Sequence, residues 1–105
     1  SPTNTLIDLG ELNPLINDPA VISIECEGSD QPIIARVPHP MPTNITLSEE
    51  EISDVINKFS ELSKIPIQEG IFNVVVGKLK ISAIISDTIS SKFIIGKLRP
   101  ANYQT

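Results

Sequence analysis

Tryptophan is absent from this 105-residue chain, and aromatic residues of all kinds make up only 4%. That scarcity argues against a pocket for a flat cofactor, which is usually lined with rings. There is one histidine, His39, and one cysteine, Cys26. A single thiol cannot close an internal disulfide, and the chain has no Cys/His cluster with the spacing of a zinc site. A lone imidazole also leaves little general-base chemistry near neutral pH. His39 lies between Pro38 and Pro40, an awkward position for a catalytic residue. Cys26 is flanked by Glu25 and Glu27. Their charges would raise its thiol pKa, so Cys26 is expected to be a core residue.

Long apolar runs are missing too. None approaches the ~20 residues of a membrane-spanning helix, and no basic leader precedes an apolar segment. The chain starts with Ser1 and is expected to be an excised or processed piece. No Walker A loop is present. Gly77-Lys78 and Gly96-Lys97 lack both the upstream glycine and the following Ser/Thr needed to cradle phosphate and hold magnesium.

Positive charge is scarce in the first two thirds. Residues 1–69 hold 12 acids and 3 bases, whereas residues 70–105 hold Asp87 alone against Lys78, Lys80, Lys92, Lys97 and Arg99. The basic third has few aromatics, which disfavours single-stranded nucleic acid as a partner. It leaves two readings open: a solvated surface, or a face for phosphate or an acidic partner.

What is present begins with 40% hydrophobic residues, enough for one domain with an aliphatic core. Met41 to Lys64 carries the strongest local signals. Ser48 followed by Glu51 makes a capping box, and Glu49, Glu50 and Glu51 complement the positive end of a helix. Ile52, Val55, Ile56, Phe59 and Leu62 recur at helical spacing as an apolar stripe. Lys64 falls in the last turn and Pro66 stops the helix.

Upstream, Asn13-Pro14 starts a short helix, with the asparagine as cap and the proline in the first turn. Alternation over 21–26 puts Val21, Ser23 and Glu25 on one strand face and Ile22, Ile24 and Cys26 on the other. A second strand spans 33–37. Residues 38–42 read as a rigid proline connector, unable to be helix or central strand, and Ile45 to Leu47 as a third short strand. Strands over 71–76 and 79–85 form a hairpin at Gly77-Lys78, and 92–98 makes the last strand. The expected fold is α+β: an antiparallel sheet of about six strands packed against one main helix, plus a short N-terminal helix. Residues 1–8 are expected to be a flexible N-terminus, 9–98 the domain, and 99–105 a tail or linker.

One further signal is the order of motifs. Leu15-Ile16-Asn17-Asp18-Pro19-Ala20-Val21 precedes a strand, a Gly-containing turn and a strand after Pro32. Met41-Pro42-Thr43-Asn44-Ile45 and the acidic-capped helix follow, then Ile67 to Gly70, a strand pair with a basic residue, and Ser91-Lys92-Phe93-Ile94-Ile95-Gly96-Lys97. Over roughly residues 9–98 this run resembles the N-terminal domain of the secretion-ATPase superfamily, the hexameric motors of type II secretion and type IV pili. The Met-Pro-Thr-Asn stretch leans toward the archaeal branch.

The resemblance implies a PAS-like domain with no cofactor of its own, beside an ATPase core that uses ATP and magnesium. It implies contacts with that core, with neighbouring subunits and with a membrane platform, in the cytoplasm at the inner face of the membrane. It makes Lys78, Lys80, Lys97 and Arg99 candidates for nucleotide or partner contact. Lys80 stands where the family carries an arginine; at the closing motif Gly96 replaces the family's arginine and Lys97 remains. Lysine is a point charge where arginine grips phosphate with two prongs, so such contact would be weakened. The same lysines also suit the exposed faces of edge strands. Two other readings stand beside this one. A free-standing PAS-like module that binds a ligand or protein requires a sizeable apolar cavity. A small enzyme requires a cleft that gathers His39 with acids.

Overall fold

The computed structural model describes residues 7–98. The expectations placed on Ser1 to Leu6 and on Arg99 to Thr105, including Arg99 as a contact residue, fall outside them. The chain runs through a 3-10 turn at Gly10–Leu12 and then α1 (Asn13–Asn17), β1 (Ser23–Cys26), β2 (Pro32–Arg36) and β3 (Pro40–Thr46). After these come α2 (Glu49–Ser63), β4 (Gly70–Val76), β5 (Leu79–Ile85) and β6 (Lys92–Lys97). The fold is α+β, and all six strands form one antiparallel sheet in the order β3-β2-β1-β6-β5-β4. It consists of two three-stranded meanders placed side by side. They meet where β1 pairs β6, with Ser23 opposite Gly96 and Cys26 opposite Phe93.

α2 links the two outermost strands and packs beside β4. Its start is fixed as the sequence predicts. The Glu51 N–H donates to Ser48 Oγ at 3.1 Å, and the Ser48 N–H donates to Glu51 Oε1 at 2.8 Å. Ile52, Val55, Ile56 and Phe59 are buried, but Leu62 is 49% exposed, so the apolar stripe outruns the surface it packs on. Lys64 lies just past the last turn rather than in it. It takes the left-handed cap position with φ 65°, and its N–H donates to the Ser60 carbonyl at 2.8 Å.

Ile24, Cys26, Ile33, Ala35, Phe72, Val74, Leu79, Ile81, Ala83, Phe93 and Ile95 alternate onto the same side of the sheet and are buried. With α2, Leu47 and the N-terminal residues Ile7, Leu9, Leu12 and Val21 they form the core, so packing already includes Ile7. No polar or charged residue is buried among the described residues. The β4–β5 turn places Gly77 at the first central position with φ 62°, as a II′ hairpin requires.

Three local expectations are corrected. Residues 38–42 are not wholly a connector: β3 begins at Pro40, with Pro40 opposite Arg36 and Pro42 opposite Ile34. Proline is tolerated there because β3 is an edge strand, whose outward side needs no ladder donor. Val21 does not share a face with Ser23 and Glu25. It precedes β1, is buried, and its N–H donates to the Asp18 carbonyl at 3.0 Å in a turn, while Ile22 is 37% exposed. Asn13 does not cap α1 from outside. It lies within the helix; its Oδ1 accepts from the Leu9 N–H at 2.9 Å and its amide donates to Asp8 Oδ1 at 2.8 Å.

Candidate functional site

The side of the sheet turned away from the core is the most distinctive surface. Strand alternation that buries one set of residues must present the other set here. The registers align that set in rows. One row runs Pro42, Ile34, Glu25, Ile94, Ser82, Asn73; the next runs Pro40, Arg36, Ser23, Gly96, Lys80, Val75. A third, shorter row runs Lys92, Ile84, Ile71. The β4–β6 half therefore exposes Ile71, Val75, Ile84 and Ile94, with Asn73, Lys80, Ser82 and Lys92 interspersed among them. Exposed β-branched residues gathered on one open face mark an interaction surface more readily than scattered ones do.

Next to the central seam, Glu25, Glu27, Ser82, Ile84, Lys92 and Ile94 help line a groove of about 200 Å³. Glu25 is pushed above the usual carboxylate range. Partial desolvation is the first cause and its hydrogen bond with Glu27 the second, with repulsion from Glu27 adding and Arg36 opposing. The Cys26 thiol beneath is also raised, chiefly by burial, and its Sγ donates weakly to the Gly28 carbonyl at 3.7 Å. Cys26 is thus a core residue, as its context predicts.

The candidate lysines do not converge. Lys80 is on the open face, opposite Gly96 and Val75. Lys78 is exposed in the hairpin turn, where its carbonyl accepts from the Leu98 N–H at 2.8 Å. Lys97 pairs with Leu79, a core-facing position, and so points to the opposite side of the sheet from Lys80. Its Nζ donates to the Asp18 carbonyl at 2.6 Å, clamping the turn after α1 to β6. Desolvation lowers the Lys97 pKa, and the Asp18 charge opposes that shift. Alternation within each strand carries this split: Lys80 falls between the buried Leu79 and Ile81, whereas Lys97 keeps step with the buried Phe93 and Ile95. Sequence reasoning also passed over Lys92, Arg36 and the exposed isoleucines as a set, because their grouping depends on which strands are neighbours.

Elsewhere, a larger groove of about 330 Å³ lies between the N-terminal segment and α2, with Asp8, Glu11, Glu51, Asp54 and Lys58 among its lining residues. Asp8 is held below the usual carboxylate range by the Gly10 N–H and the Asn13 amide. Leu9, Leu47 and Val55 also line this groove, so an apolar wall lies behind a carboxylate rim. His39 is exposed in the turn between β2 and β3, where its carbonyl accepts from the Val37 N–H at 3.0 Å. No cluster of His, Cys, Asp or Glu suited to a metal occurs among the described residues, and no described helix is long and apolar enough to cross a membrane. No family profile matches the chain, and neither does any curated protein.

Proposed function

We propose that the chain is a non-catalytic docking domain of a secretion or pilus ATPase, joined to partners through the open face of its sheet. The carrying observation is the exposed Ile71, Val75, Ile84 and Ile94 beside Lys80 and Lys92 on that face. The family reading rests on the resemblance in the order of sequence motifs, and the means of contact on the face. Its partners are the ATPase core, neighbouring subunits and a membrane platform protein, at the cytoplasmic side of the membrane. Through those contacts the domain passes the core's nucleotide cycle to the platform. Lys80 and Lys78, on the open face and at its hairpin end, are the residues for phosphate or acidic contact in this reading. Lys97, held by the Asp18 carbonyl, is a structural clamp.

The test is binding of the purified domain to a separately produced secretion-ATPase core and to the cytoplasmic loop of a platform protein. Binding to either, abolished by combining Ile84→Lys with Ile94→Lys while circular dichroism stays unchanged, is expected. Absence of binding to both by a folded domain overturns the proposal.

A further inference from the structure

Among the described residues the sheet has two free edges, and they are built oppositely. β3 carries Pro40 and Pro42, and a bulge interrupts its register with β2 between Pro32 and Ile34. Proline removes ladder donors and a bulge bends the strand, so this edge is blunted against further pairing. β4 has neither device. Its seven residues, Gly70 to Val76, contain no proline and no charge, and they pair with β5 without a register shift. Among the described residues, no other backbone segment pairs with its outer side. A regular, uncharged, β-branched edge is a template for another strand.

We infer that this edge pairs with β4 of a second copy of the chain, giving a continuous antiparallel sheet across a two-fold axis. Three observations select that occupant. The first is facing. β4 buries Phe72 and Val74 on the core side and exposes Ile71, Asn73 and Val75 on the other. An antiparallel self-pairing centred on Asn73 pairs all seven residues and keeps each face matched. Phe72 meets Val74 of the other copy, Ile71 meets Val75, and Asn73 meets Asn73. Shifting by one residue would set core-facing against open-facing positions.

The second is charge. The whole chain carries −5, which opposes self-association over most of its surface, but β4 brings no charge to the contact. The third is continuity. α2 is the helix packed on β4, and beyond its buried stripe it leaves Leu62 and Ile65 exposed on the connection into that strand. Apolar surface therefore extends past the edge itself, which a second copy would share. The contact is isologous, so it closes at two copies and does not propagate.

The test is sedimentation of the purified chain over a concentration series. A dimer that dissociates on dilution is expected. Asn73→Lys sets two like charges against each other at the centre of the pairing and is expected to weaken association by at least ~10-fold. Val75→Lys serves as the second variant, and circular dichroism confirms that each remains folded. Register is tested by oxidation. Asn73→Cys is expected to form a disulfide-linked dimer, because the two positions oppose each other. Ile71→Cys is expected not to, because its two copies lie ~13 Å apart along the strands. A folded wild-type chain that stays monomeric to millimolar concentration overturns the inference. So does an Asn73→Lys variant as dimeric as the wild type, or cross-linking through position 71 as fast as through 73. The Ile84→Lys, Ile94→Lys double variant, made to abolish partner docking, leaves the dimer intact, so the two proposals fail separately.

Discussion

The two faces of one sheet show what alternation alone can and cannot achieve. Both are built from the same strands and both are rich in isoleucine. On the inner face, Ile24, Ile33, Ile81 and Ile95 are almost completely removed from water beneath α2 and the N-terminal segment. On the outer face, Ile71, Ile84 and Ile94 have no such cover among the described residues. The residue type is constant, so the energetic weight of each isoleucine comes from what lies across from it. Burying an aliphatic side chain stabilises by about 1.5–3 kcal/mol, and one left in water contributes little of that. The inner face holds the fold, and the outer face is free to be used.

The sharpest way to break the comparison is to remove volume from the closed side. Phe59→Ala opens a cavity at a fully buried position of α2 and is expected to cost about 3–5 kcal/mol, read as a lowered midpoint in urea. Next in size is the device that holds the helix in place. Ser48→Ala removes the acceptor of the Glu51 N–H and is expected to cost about 1 kcal/mol by the same measurement.

A smaller effect tests the open face through pH. The Glu25 carboxyl titrates higher in the folded chain than its ordinary value of 4.5, so its ionised form opposes folding. That penalty is complete above the raised pKa and vanishes below the unfolded one. Glu25→Gln is therefore expected to raise the melting temperature at pH 7, with the gap to wild type closing as pH falls through the acidic range. An equal gap at all pH values would contradict the assignment. Smallest of all is Ile71→Thr. This residue is 77% exposed and keeps a β-branched shape on substitution, so stability is expected to change by no more than about 0.5 kcal/mol in the same urea titration. A loss near that of Phe59→Ala would mean that the outer face is covered after all.

Much of this architecture was legible because the signals are local. Ser48 and Glu51 are three residues apart, Gly77-Lys78 sits between two β-branched runs, and the 79–85 alternation needs no knowledge of any neighbour. The misreadings of Asn13 and Val21 turn on contacts only three to five residues away, whereas the other misreadings depend on distant context. Pro40 and Pro42 exclude a central strand but not an edge, and only the strand order makes β3 an edge. Leu62 keeps perfect helical spacing, yet the core ends before it does. Lys80 and Lys97 are both contact candidates in sequence, and the sheet turns them to opposite sides. For the same reason the open face could be described only residue by residue until the β1–β6 pairing joined the two meanders.

That central pairing also sets how the domain bears load. Ser23, the first residue of β1, lies opposite Gly96, near the end of β6, and the Lys97 N–H donates to the Ile22 carbonyl at 3.2 Å. The points where the chain enters and leaves the sheet are thus adjacent at one end of the same seam. Tension applied through them opens that seam like a zipper, one rung at a time, and not by shearing all its hydrogen bonds at once.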